Sequence, residues 1–119
     1  MSTEYIKMVV TLNVGQGNPE LFKKLSTELA NSVEFNEAST ISYEWFMDDA
    51  AKTCYIMECY PNSDALLSHL ENVGPQIGPI LETASLSEML VLGKVSERAA
   101  EVLSGFGAKI VPLYAGFQR

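Results

Sequence analysis

A short polar turn, Asp48–Lys52, limits what this chain can fold into more than any other stretch. It separates two strand-like runs, 41–48 (ISYEWFMD) and 53–60 (TCYIMECY). Strands joined by so short a link pair as an antiparallel hairpin. The hairpin lies between two helical patterns, and each of those has a further strand on its far side. Residues 4–14 (EYIKMVVTLNV) read as the first strand, and Gly15-Gln-Gly17 ends it. Asn18 is placed to cap a helix with Pro19 at its first position and Glu20 in its first turn. Leu21, Phe22, Leu25, Leu29 and Val33 then recur at helical spacing, which predicts a helix over 19–36.

Beyond the hairpin, Pro61 stops the third strand and Ser63 is the expected cap of a second helix, with Ala65, Leu66, Leu70 and Val73 on its apolar side. Gly74-Pro75 is expected to end that helix, leaving 76–84 as a short, broken one. Residues 86–95 form a fourth strand, Ser96 starts a small helix over 97–104, and 108–114 is a candidate edge strand because Pro112 lacks a ladder donor. The order β-α-β-β-α-β defines an α+β, ferredoxin-like domain with an antiparallel sheet, spanning residues 1–119 as one unit.

Helices cover one face of such a sheet and leave the other bare. The first strand is apolar on both faces, with Ile6, Met8, Val10 and Leu12 on one and Tyr5 and Val9 on the other. A chain of this size buries only roughly two-thirds of its unfolded surface. A second copy of the same sheet is the simplest cover, so a homodimer is expected.

Charge excludes several partners. The net charge is −7 with no basic run, which argues against nucleic acid and against an anionic membrane surface. No apolar stretch approaches the roughly 18 residues of a membrane span, and no secretory signal is visible at the N-terminus. Cys54 and Cys59 lie an odd number of residues apart on one strand, so their side chains point to opposite faces and cannot bridge each other. Two reduced thiols fit a cytoplasmic protein. No phosphate-binding loop, dinucleotide fingerprint, nucleophile elbow or metal-ligand spacing occurs, so neither a cofactor nor a metal is expected.

Chemistry-bearing residues concentrate between Glu58 and Asn72. Glu58 and Tyr60 share a strand face, and His69 and Asn72 share a helix face. If the second helix folds over the sheet, a carboxylate, a phenol, an imidazole and an amide converge. His69, the sole histidine, is the candidate for proton transfer near neutral pH. The alternative is a half-exposed helix histidine with one structural hydrogen bond. Glu58 is either a base or a structural anchor. Tyr43 and Trp45 alternate on the second strand and could clamp a flat ligand or serve as core. The hairpin register decides whether they face the same way as Tyr60. An even-sum register, such as 45 opposite 55, would put them on the other side.

Tyr43-Glu-Trp45-Phe, followed by Glu58-x-Tyr60-x-x-Ser63-Asp64-Ala65-x-x-x-His69, resembles the antibiotic biosynthesis monooxygenase-like proteins of the dimeric α+β barrel superfamily. The resemblance implies a homodimer with facing sheets and a pocket in each subunit between sheet and helices. It implies oxidation of a small quinol or polyphenolic aromatic by O₂ without metal or flavin, the electrons coming from the deprotonated substrate. On that reading His69 is the base or orienter. Tyr60 and Asn72 supply hydrogen bonds, Trp45 and Tyr43 are aromatic walls, and Glu58 orients His69 or the helix start. Haem-degrading enzymes of the same superfamily combine a first-strand asparagine, a tryptophan and a helix histidine. Asn13 and His69 could fill two of those places, with Tyr60 where the tryptophan stands. A non-catalytic, small-molecule-binding or stress-response dimer using the same pocket is the rival reading.

Overall fold

The computed structural model describes residues 5–15 and 17–119; the start of the expected first strand, at residue 4, lies outside them. Its elements follow the expected order: β1 (Ile6–Asn13), α1 (Pro19–Asn36), β2 (Ser42–Asp48), β3 (Thr53–Tyr60), α2 (Ser63–Leu81), β4 (Ser85–Leu92), α3 (Glu97–Ser104) and β5 (Lys109–Val111). The sheet order is β2-β3-β1-β4-β5, the ferredoxin-like arrangement with one strand added at an edge. The first four strands pair antiparallel, but β5 runs parallel to β4. The sheet is therefore mixed, not antiparallel throughout. The connection through α3 lets β5 enter in the same direction as β4. β5 is also shorter than expected, because the chain leaves the sheet at Pro112.

Alternation along β1 sorts the two faces. Ile6, Met8, Val10 and Leu12 are buried beneath the helices. Across the other face, Val9 lies between Met57 of β3 and Leu90 of β4, and Phe46 pairs with Tyr55. Phe46, Tyr55 and Met57 are each about half exposed there. A bulge in the β1–β4 ladder sets Thr11 opposite Glu88 but Leu12 opposite Leu86, so Ser87 has no partner. The extra residue brings both Leu86 and Met89 onto the helix face.

The caps explain where the helices begin. The Asn18 side chain accepts from the Leu21 amide at 3.1 Å, and Pro19 needs no partner for the N–H it lacks. Phe22, Ser26, Leu29 and Val33 then form the buried stripe of α1. For α2 the cap is Asn62, not Ser63: the Asn62 side chain accepts from the Ala65 amide at 2.9 Å. The Ser63 hydroxyl instead accepts from the Ser96 amide, tying the start of α2 to the start of α3. Ser96 caps α3 as expected.

Gly74-Pro75 does not end α2. The helix runs through Pro75 and Pro79 to Leu81, so the separate broken helix over 76–84 does not exist. Both prolines lie on the exposed side. The carbonyls they leave unbonded there can turn to water, while Leu66, Val73, Ile77 and Ile80 continue one apolar stripe against the sheet. Packing of that stripe outweighs the local breakers. Among the described residues, no helix is long and apolar enough to cross a membrane.

Leu66 sits at the centre of this layer with no exposed surface, whereas Phe35 is 89% exposed. Leu66→Ala is expected to cost about 2–5 kcal/mol in urea unfolding. Phe35→Ala should stay within roughly 0.5 kcal/mol of the parent. Equal losses would contradict the assignment of the core.

Candidate functional site

The hairpin register brings four aromatic and acidic side chains onto one face. Tyr43 pairs with Glu58 and Trp45 with Ile56, an odd-sum register, so Tyr43, Trp45, Glu58 and Tyr60 all point toward the helices. The possibility that Trp45 and Tyr60 lie on opposite faces is thereby removed. Helix α2 crosses above them and lowers His69 onto the cluster, where its ring is 5.0 Å from that of Tyr43 and 5.2 Å from that of Tyr60, centroid to centroid. His69 is only 3% exposed, not the half-exposed helix histidine of the alternative reading.

Two carboxylates flank the imidazole. On one side, Glu37 Oε1 lies 2.7 Å from Nδ1. On the other, Glu58 Oε1 lies 3.5 Å from Nε2 and accepts the Tyr60 hydroxyl proton at 2.5 Å. The side chains of both carboxylates are at least nine-tenths buried. Glu37 has two further donors: the Asn72 amide nitrogen, 2.6 Å from Oε2, and the Thr40 hydroxyl, 2.7 Å from Oε1. Glu37 is also the residue that ends α1, and its backbone N–H bonds to the Val33 carbonyl. A helix terminus thus places a carboxylate on a histidine thirty-two residues away in sequence.

Sequence reading missed Glu37 and Thr40. They lie in a short polar link between α1 and β2 that resembles any solvated loop. The signal available was indirect: a buried histidine needs a partner for its N–H, and the end of α1 is the neighbouring element able to reach α2.

Beside this cluster lies a narrow cleft with about 80 Å³ of free internal volume. Its polar lining comes from Tyr43, Glu58 and His69, gathered at one end. The rest is apolar, including Met8, Val10, Ile77, Met89 and Phe106. Among the described residues, no lysine or arginine lines it. Of the six residues singled out from sequence, His69, Glu58 and Tyr43 reach the cleft, and the other three stand behind it. Tyr60 is fully buried with its hydroxyl on Glu58. Asn72 turns to Glu37. Trp45 packs against Phe22 and Tyr43, with ring centroids 6.1 and 5.9 Å away, and its buried Nε1–H has no partner at normal hydrogen-bond geometry among the described residues. Asn13 faces the opposite side of the sheet and accepts from the Gly15 amide. It cannot join His69 as a haem-degrading site of the anticipated kind would require.

Burial governs the electrostatics. It pushes the Glu58 carboxyl up to about 7; the Glu37 charge adds to the rise and the Tyr60 hydrogen bond opposes it. Burial also pulls the His69 imidazolium below its usual range, against the pull of Glu37. Both phenols, Tyr43 and Tyr60, are pushed well up, first by burial and then by the charge of Glu58, and remain donors. Near neutrality the arrangement fits a neutral imidazole whose Nδ1–H is given to Glu37, with Nε2 facing a Glu58 that still holds a proton. Moving that proton to Nε2 would leave the total charge of the group unchanged, but at 3.5 Å the two groups must first close to hydrogen-bond distance.

No family model matches the chain, and no curated protein sequence does. Solved structures do resemble it. MupZ from Pseudomonas fluorescens has a TM-score of 0.80 at 18% identity, with 98% of this chain and 95% of that chain covered. SnoaB from Streptomyces nogalater, a cofactor-independent oxygenase, has a TM-score of 0.65 at 14% identity, covering 78% and 95%. A Caulobacter crescentus protein provisionally assigned as an antibiotic biosynthesis monooxygenase has a TM-score of 0.65 at 22% identity, covering 75% and 86%. The structural neighbours are thus antibiotic biosynthesis monooxygenase-like proteins, and this chain has their fold.

Burial of Glu58 has a consequence for stability. The folded protein holds the Glu58 proton up to about pH 7, whereas the unfolded chain releases it near 4.5, the ordinary value for a glutamate. Ionising this carboxyl therefore erodes stability as pH rises through that interval. Glu58→Gln keeps an acceptor for Tyr60 and carries no charge. It should raise stability at pH 8 by roughly 1–3 kcal/mol, with the gain fading toward pH 4.5, as read from thermal melts across pH. A loss of stability at pH 8 would mean that the ionised carboxylate is a net stabiliser.

Proposed function

We propose that this chain, with the fold of the antibiotic biosynthesis monooxygenase-like proteins, is a cofactor-independent oxygenase acting on a small, uncharged quinol or polyphenolic aromatic. The observation that carries this reading is the oriented imidazole at the polar end of an otherwise apolar cleft. The His69–Glu58 pair takes the substrate's proton, and the imidazolium so formed lies between two carboxylates. Tyr43 donates to the developing substrate oxyanion. Tyr60 holds Glu58, Asn72 holds Glu37, and Trp45 braces Tyr43 from behind.

Deprotonation makes the aromatic electron-rich, and it passes an electron to O₂. The two radicals combine at carbon. At an activated methylene, loss of water then leaves a carbonyl, so that one oxygen atom enters the product and the other departs as water: R₂CH₂ + O₂ gives R₂CO + H₂O. The apolar lining excludes bulk water from the anion. The absence of a lysine or arginine in the lining, next to two carboxylates, disfavours substrates that carry a negative charge of their own.

A homodimer belongs to the same reading. It is supported by the half-exposed Phe46, Tyr55 and Met57 on the uncovered sheet face, and by Leu113, Tyr114 and Phe117 on the exposed C-terminal segment. Sedimentation at micromolar concentration should give twice the chain mass of 13.1 kDa. A mass of one chain would remove the dimer from the proposal.

Oxygen uptake with a panel of reduced quinols and anthrone-like aromatics tests the activity. Turnover should exceed autoxidation and rise with pH through about 7 as Glu58 gives up its proton. His69→Ala should lower it by about 10²–10⁴-fold. Saturable binding with no uptake above autoxidation would replace the oxygenase with a small-molecule-binding protein.

A further inference from the structure

We propose that Glu37 is the positioning residue for the proton acceptor: it holds the Nδ1–H of His69 and so turns the Nε2 lone pair toward Glu58 and the cleft. This rests on reading His69 as the acceptor of the substrate's proton.

The geometry commits Glu37 to accepting. Three donors converge on its two oxygens, from His69, Asn72 and Thr40, all at 2.6–2.7 Å. A neutral imidazole has one N–H and one lone pair. With the N–H given to Glu37, the lone pair can only be on Nε2, the nitrogen nearer Glu58. The placement has little freedom to slip. Glu37 is anchored as the C-cap of α1 by its backbone N–H on the Val33 carbonyl, and the 37–40 turn is closed by a backbone bond from the Thr40 amide to the Glu37 carbonyl as well as by the Thr40 hydroxyl. Asn72, one turn beyond His69 on α2, fixes the other carboxylate oxygen. Glu37 does not line the cleft. It acts through the histidine and does not touch a ligand.

Replacing the carboxylate by an amide inverts this logic. Gln offers one acceptor oxygen where three donors are waiting. The Asn72 amide and the Thr40 hydroxyl compete for that oxygen, and the Gln NH₂ group then faces Nδ1. Nδ1 becomes the acceptor, the ring proton moves to Nε2, and the lone pair no longer points at the cleft.

Because His69 is the only histidine in the chain, its two ring nitrogens can be read by ¹⁵N NMR without assignment. In the wild type at pH 8 the spectrum should be that of the Nδ1–H tautomer. In Glu37→Gln the Nε2–H form should become the major one. Glu37→Asp keeps the charge but draws it back by one methylene, and should give a mixture. Circular dichroism and thermal melts establish that each variant is folded; if the Gln variant is not, the Asp variant carries the test. In oxygen-uptake assays Glu37→Gln should lower kcat by about 10²–10⁴-fold with KM little changed. An Nε2–H wild type, or an unchanged tautomer in a folded Glu37 variant, would overturn the positioning role. A tautomer that moves as stated in a protein without oxygenase turnover would leave Glu37 in its role and remove the oxygenase.

Discussion

The imidazole of His69 is held between two carboxylates where water barely reaches. An unpaired histidine at this depth would lose hydrogen bonds that water supplies elsewhere, and an unpaired carboxylate would lose more. Each group is tolerated because the others are present. Glu37 accepts from Nδ1, Asn72 and Thr40; Glu58 accepts from Tyr60 and faces Nε2. These contacts join α1, β3 and α2. Tyr43 of β2 adds an aromatic wall, edge-on to the imidazole. The polar cluster therefore ties the end of α1 and the middle of α2 to the β2–β3 hairpin at one end of the cleft.

The apolar part of the cleft depends on a different feature, the length of α2. Had the helix ended at Gly74, Ile77 and Ile80 would not cover β1 and β4, and the cleft would have no roof beyond Val73. The bulge at Ser87 complements it from below by placing Leu86 and Met89 on the same face. The result is a site with its charge at one end and hydrocarbon over the remainder. That division is what the proposed reading, a flat aromatic with one ionisable group, calls for.

Much of this was legible in the chain, because the deciding interactions were local. Asn18-Pro19 and Ser96 announce helices through side chains that bond to amides three residues on, and the short Asp48–Lys52 turn allows only a hairpin. The errors share a different cause. Ser63 and Asn62 are both good caps, and the choice fell to Asn62 because Ser63 is recruited by Ser96 from another element. Pro75 reads as a stop locally, but Ile77 and Ile80 extend the buried stripe past it. The hairpin register was open because the turn fits either parity, and pairing with β1 settles which set of side chains is buried. For the site, Glu58, Tyr60 and His69 were visible as a dense run, and three of the six chosen residues reach the cleft. Glu37 was invisible because its role comes from a contact across thirty-two residues, with no spacing to mark it.

The account turns on where one proton rests. If burial dominates, the Glu58 carboxyl is protonated below about pH 7 and the imidazole beside it is neutral. Infrared spectroscopy of the wild type and Glu58→Gln measures this directly, since a protonated buried carboxyl has a carbonyl stretch that an ionised one lacks. At pH 6 the wild type should show that band; it should fade as the pH is raised to 8 and be missing from the variant. A wild-type spectrum at pH 6 with no Glu58-dependent carbonyl band would mean an ionised carboxylate facing an imidazolium, and the shared-proton account of the site would be wrong.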